Sequence, residues 1–349
     1  MNNRKFYSAI RETKRFDQSE YEELMNKTSE DRVAAISKNW SDYLKPNVAK
    51  TIEDKEDIDD YRLNPYAITA IAGILDFDTS EEISEFIFGS KLYMSLETAF
   101  GKSVENIVLP IYPIPSATAG WKEHPEKVKE MKSDSRTEDL VWQDVDKYCV
   151  IGDTAYITTV KSGPRTLNED ITDSIKDDIA NHSETWLDGT QKHHPEVEEL
   201  NVSVGLTYGT DHSTNNKEMR ILLKLVEEGF VEIDRDTKPG LIQHPENDDI
   251  TVESHVGIDF WSYIGNPENP DDAKHVFLEV LLGMIEAADE TGEVLRSTTG
   301  DKIQKLTGAV DTLTIPESSL PEWIEANYGE DELVRMAQTL TLYYDEGFQ

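Results

Sequence analysis

Two β-rich runs, residues 141–151 and 154–161, meet at Gly152-Asp153, a dipeptide suited to a two-residue hairpin turn. A hairpin closed there has a fixed register, in which paired residue numbers sum to 305. Asp144 then stands opposite Lys161, and Asp146 opposite Thr159. Side chains alternate along a strand, so all four project from one face of the sheet. A slip of one residue would break the arrangement.

The flanking segments place this hairpin in a larger fold. Asn168 caps a helix with the apolar stripe Ile171, Ile175 and Ile179, residues 202–208 read as a strand, and residues 217–228 form an amphipathic helix. Upstream, residues 92–109 read as one further helix, ended by Pro110, Pro113 and Pro115. The order helix, hairpin, helix, strand, helix predicts an α/β fold with a mixed sheet and helices on its faces. Residues 1–95 read as helical: Val33, Ile36, Trp40 and Leu44 recur at helical spacing. Asn64-Pro65 opens a helix through residues 67–75, and Thr79-Ser80-Glu81-Glu82 opens another that carries Ile83, Phe86 and Ile87. Helix returns from about residue 270 onwards. The expected organisation is a helical segment 1–95, a mixed-sheet core 96–265 and a helical segment 266–349. Apolar residues cluster periodically throughout, which predicts a chain folded from end to end.

Charge narrows the function classes. The 349 residues carry 70 Asp and Glu against 34 Lys and Arg, a formal net charge of −36 dispersed along the chain. Dispersal points to a surface adapted to concentrated salt, where the Debye length falls to about 3 Å at roughly 1 M. It also admits a rival, a non-catalytic acidic protein that imitates DNA and blocks DNA-binding enzymes or nucleases. Cys149 is the single cysteine, which excludes an internal disulfide framework and a cysteine-built zinc site. No run approaches the roughly 18–20 apolar residues of a membrane span, and the N-terminus lacks a signal-like apolar stretch. A cytoplasmic location without membrane association is the expectation.

A carboxylate opposite a lysine, beside a second carboxylate, is a poor apolar sheet face. It suits a hard divalent cation and a charged stabiliser at a phosphodiester, because the cation wants carboxylate oxygens and lowers the pKa of bound water. A nearby lysine can orient that water and stabilise developing negative charge. An exposed ion pair is the plainer alternative at this point. The residues that follow add a second signal. Lys161-Ser162-Gly163-Pro164, with Thr166 and Asn168, resembles the KSGPxTxN segment of PmeII-type restriction endonucleases of the PD-(D/E)XK nuclease superfamily. Trp142–Asp146 is similar to the metal-binding aspartate segment of those enzymes, and residues 100–105 to the helix that adds an acid. Residues 205–209, 216–218 and 255–261 are similar to later parts of the same core.

The resemblance implies a restriction-endonuclease-like sheet and Mg²⁺-dependent hydrolysis of double-stranded DNA at specific sites, leaving a 5′-phosphate. It assigns Asp144 as principal metal ligand, Lys161 as catalytic lysine and Glu105 as a further member of the metal shell. Asp146 is a second candidate ligand. Glu97, eight residues before Glu105 and on the same helix face, is the substitute. A homodimer and a cognate DNA methyltransferase are implied partners. Position 159 departs from the pattern: Thr159 stands where an acid usually lies two residues before the lysine, which leaves three alternatives, that Asp146 or Glu105 supplies the charge, that fewer acids and a backbone carbonyl hold the metal, or that the site is inactive.

Other signals are weaker. His193-His194 reads as an exposed loop, and the spacing of His244, Asn247 and His255 lacks the ββα setting of a His-Asn-His nuclease, with residues 245–249 reading as a turn. No phosphate-binding glycine loop occurs. Arg165, Lys217, Arg220, Arg235, Lys238 and the basic stretch 122–132 are candidates for DNA contact, since base reading needs such side chains.

Overall fold

The computed structural model of the chain describes residues 27–55, 58–61, 64–77, 79–104, 145–161, 167–191, 194–209, 217–234, 240–311, 324, 327 and 329. The chain divides into two compact units, Met1–Trp40 with Phe100–Glu286, and Ser41–Ala99 with Ala287–Gln349. Each unit therefore draws on two separate stretches of chain.

The first unit holds a six-stranded sheet of order β1-β2-β3-β6-β5-β4. Its strands are β1 (Lys147–Ile151), β2 (Thr154–Lys161), β3 (Glu199–Leu206), β4 (Val231–Asp234), β5 (Leu241–Gln243) and β6 (Ile250–Val256). β2, β3 and β6 run parallel, while β1 on one side and β5 and β4 on the other are antiparallel to their neighbours. The sheet is mixed, as the order of elements requires. Parallel neighbours need a crossover, and α5 (Glu169–Gln191) supplies it between β2 and β3. Asn168 caps α5, its Oδ1 accepting the Ile171 amide at 2.8 Å. α6 (Lys217–Glu227) follows β3.

The two faces of the sheet bury different chemistry. Toward α5 and α6 lie Ile157, Val202, Val204, Leu206, Ile250 and Val252, packed with Ile175, Ile179, Trp186, Leu222 and Leu225 in one hydrophobic core. Each such aliphatic side chain contributes about 1.5–3 kcal/mol over its exposed state. The opposite face is covered by α7 (Ile258–Gly265), and its buried residues are largely polar. Tyr263 stacks on His255, meets Tyr156 edge-on, and donates its hydroxyl to Asn201 Oδ1 at 2.9 Å. Gly205 belongs to this face for a steric reason: a Cβ there would lie 2.3 Å from the Phe260 ring. Gly257, at φ +61°, makes the tight turn from β6 into α7.

The second unit is helical where it is described. Its core gathers Ile52, Tyr61, Ile68, Ile83, Ile87, Phe88 and Leu306. α3 (Pro65–Leu75) begins at the expected Asn64-Pro65, with Asn64 Oδ1 accepting the Ala67 amide. α4 (Ser80–Ser103) begins in a reciprocal cap, Thr79 Oγ1 accepting the Glu82 amide while Glu82 Oε2 accepts the Thr79 amide. The sequence suggested separate helices before and after residue 90. The structure joins them into α4, which runs through Gly89 without a break. α1 (Ser29–Leu44) precedes a π-helical turn (Lys45–Ala49) and the short α2 (Lys50–Glu53), and α8 spans His275–Asp311. Within the first unit, Arg32 of α1 donates from two nitrogens to Glu279 of α8 at 2.8 and 2.7 Å. The part of the expected C-terminal helical segment that follows residue 329 lies outside the described residues. No helix among the described residues is long and apolar enough to cross a membrane.

Lys147 tests the polar face most sharply. It is fully buried, and burial holds its pKa well below the ordinary 10.5, with the Cys149 thiol opposing that shift. The same burial pushes the Cys149 thiol up to about 12. Between the lowered folded pKa of Lys147 and 10.5, the unfolded chain binds a proton that the folded chain does not, so stability rises with pH across that window. Lys147→Met removes this contribution. Its stability difference from wild type, measured by urea unfolding, therefore shifts in favour of wild type as pH rises from 7 to 10. A pH-independent difference would contradict the burial of this amine.

Candidate functional site

The hairpin obeys the register expected from its turn. Gly152 takes positive φ, the residue type and position of a two-residue hairpin turn, and the pairs run from Ile151↔Thr154 to Lys147↔Thr158. Beyond Lys147 the expectation fails by one residue. The Asp146 amide donates to the Thr158 carbonyl at 3.0 Å, although Lys147 already pairs with Thr158. Two residues of one strand thus face one of the other, the geometry of a β-bulge. Asp146 is therefore not paired with Thr159.

The bulge gives the Asp146 carboxylate a new position. Its Oδ2 accepts the buried Val160 amide at 2.6 Å, taking the place that a strand carbonyl would hold. The same oxygen lies 3.9 Å from Lys161 Nζ. That separation exceeds the roughly 2.7–2.9 Å of a charge-assisted hydrogen bond, so the pair interacts through its charges. Asp146 is buried and Lys161 is about a quarter exposed, so the ammonium faces both the carboxylate and solvent. The structure brings these two candidates together. Asp144 and Glu105 lie outside the described residues, as do Arg165, Arg235, Lys238, His193 and the stretch 122–132.

Three sequence segments converge on this end of the sheet. Lys161, Leu206 and Val256 are register partners at the carboxyl ends of the parallel strands β2, β3 and β6. The Thr207 amide donates to the Lys161 carbonyl at 3.2 Å, and the Gly257 amide to the Leu206 carbonyl at 2.9 Å. Trp261 Nε1 closes the set by donating to the Thr207 carbonyl at 3.0 Å. In open α/β sheets, ligands bind outside the carboxyl ends of the strands. Tyr208, within the 205–209 segment, is exposed at this end.

Other candidates separate from the site. His244 packs edge-on against Phe230, His255 stacks on Tyr263, and His194 lies 3.2 Å from Glu196 on a loop. On the polar face, burial pushes the Glu253 carboxyl up, but hydrogen bonds from His255 and Asn201 hold it below the ordinary carboxylate range. Exposed Arg220 is drawn to Glu169 at 3.6 Å, and half-buried Lys224 to Glu169 and Asp173, so both cations meet acids on α5. Glu97 belongs to the second unit. Among the described residues no group of three or more His, Cys, Asp or Glu is placed to hold a metal ion. No protein-family model matches the chain, and no curated protein matches it.

The Asp146–Val160 bond has a measurable signature. Asp146→Ala leaves the Val160 amide buried without its acceptor, a loss of about 1–3 kcal/mol in urea unfolding. Asp146→Asn keeps a carbonyl oxygen for that amide and loses less. Equal losses in the two variants would contradict the assignment of this carboxylate as the acceptor.

Proposed function

We propose that this protein is a Mg²⁺-dependent, site-specific DNA endonuclease of the type II restriction class. The observation that carries the reading is the approach of Lys161 to Asp146 at the carboxyl end of β2. The segments similar to PmeII-type restriction endonucleases around Lys161, Gly205–Gly209 and His255–Trp261 meet at that same end. A fold with a mixed sheet and a hairpin edge is compatible with the PD-(D/E)XK core that the resemblance implies.

The metal requirement is tested by the donor set. Asp146 alone, already engaged by the Val160 amide, does not make a divalent-cation site, and the described residues do not fit the ion by themselves. The reading places the ion on Asp144 and Glu105 with Asp146, on the strength of the sequence resemblance. Lys161 has a role that needs no metal geometry: its ammonium can hold a phosphate oxygen and stabilise the negative charge that grows during attack by water. Double-stranded DNA as substrate, a homodimer that cuts both strands, and a partner methyltransferase complete the proposal.

The net charge of −36 favours one other reading, an acidic protein that occupies the DNA-binding surface of another enzyme. Plasmid cleavage with Mg²⁺, scanned from low to molar KCl, separates the two. The nuclease reading expects discrete fragments from wild type, with rates at least about 100-fold lower in Lys161→Ala and Asp144→Ala. Folded wild-type protein that cuts no DNA at any salt, and instead inhibits a DNA-binding enzyme, would replace this reading with the acidic inhibitor.

A further inference from the structure

Beneath the hairpin lies a cavity of about 10 Å³, room for one water molecule. Its walls include Val145, Ile157, Ile179 and Trp186, and two polar side chains reach it, Thr159 from β2 and Asp178 from α5. Thr159 is 7% exposed, and its hydroxyl meets no hydrogen-bond partner among the described residues. Asp178 Oδ2 is sealed from solvent. Buried hydroxyls are nearly always hydrogen-bonded, so a water-sized space beside this one calls for an occupant that can both accept and donate.

We propose that the cavity is a binding site for a single ordered water that bridges Thr159 and Asp178. The water accepts the Thr159 hydroxyl proton and donates to the Asp178 carboxylate. A metal cation fits poorly, because one carboxylate and one hydroxyl in hydrocarbon walls supply too few oxygens for a hard ion. An organic ligand is excluded by size. The location gives the water a structural task. Val145 adjoins the bulge at Asp146, and Thr159 lies two residues before Lys161, so the bridge fastens the open end of the hairpin to α5. It also accounts for a threonine at position 159: an acid there would enter the apolar cavity beside Asp178. The inference stands on the cavity and its walls and holds whatever reaction the protein performs.

Thr159→Val keeps the shape of the side chain and removes the hydroxyl. With the water in place the substitution breaks a satisfied bond, and the thermal unfolding midpoint falls by about 2–4 °C. An unchanged or higher midpoint overturns the proposal, because replacing an unpartnered hydroxyl with a methyl group costs nothing. A crystal structure of the wild type gives a second readout that no variant's folding can obscure. Density is expected within hydrogen-bond distance of both Thr159 Oγ1 and the Asp178 carboxylate. A cavity without density, at a resolution that shows other buried waters, would equally overturn it.

Discussion

An edge strand that carries one extra residue leaves an amide of its neighbour without a carbonyl partner, and here the Asp146 carboxylate takes that place. The hydrogen bond to Val160 ties three features together. It ends the β1–β2 ladder, it keeps a buried N–H satisfied, and it fixes a negative charge beside Lys161. Bulges are used in this way near functional sites because the inserted residue re-aims a side chain without dissolving the sheet. A regular ladder would direct the carboxylate by strand alternation alone. The bulge replaces that rule with a specific bond.

The rest of the first unit supports the hairpin from two chemically distinct faces. On the α5–α6 face, aliphatic side chains of β2, β3 and β6 provide the hydrophobic core. Under α7, Tyr263, His255, Asn201 and Glu253 form a buried polar layer, and Lys147 and Cys149 are buried on β1. A polar layer of this kind is stable only when its groups are partnered, and once partnered it restricts how the covering helix can sit. Gly205 adds a steric restriction, since the Phe260 ring lies where a side chain would project. Both restrictions act on β3 and β6, the strands whose carboxyl ends adjoin that of β2.

Local chemistry was legible in the sequence, and longer-range geometry was not. Gly152 in the turn, Asn64-Pro65, the Thr79–Glu82 cap and Asn168 each act within a few residues, and each stands where the sequence reading placed it. The mixed sheet followed from the order of elements. β4 and β5 escaped notice because four and three residues are too short to show a period. β6 carries Glu253 and His255 on a face that α7 buries, so its alternation gives no apolar signature there. The bulge was invisible because register was counted from the turn, and nothing in the run from Trp142 to Lys147 marks an extra residue. Of the candidate residues, Lys161 and Asp146 lie beside each other, and Asp146 bonds to Thr158 rather than pairing with Thr159 as expected. Asp178 went unremarked, although a carboxylate between Ile175 and Ile179 on a buried helix stripe was a signal within reach.

Dispersed acidity sets the conditions under which this site must work. Under the proposed nuclease function, a chain of net charge −36 offers phosphate no broad positive field, and contacts to single cations such as Lys161 would weaken as salt rises. A divalent ion at the open end of the hairpin would supply the missing local charge, and its location is the central claim. Paramagnetic Mn²⁺, titrated in molar KCl to screen the acidic surface, tests that location directly through broadening of backbone amide signals. The account predicts selective broadening at Asp146, Val160 and Lys161, abolished by Asp144→Ala. Broadening spread over the acidic helices, with those three amides unaffected, would contradict it.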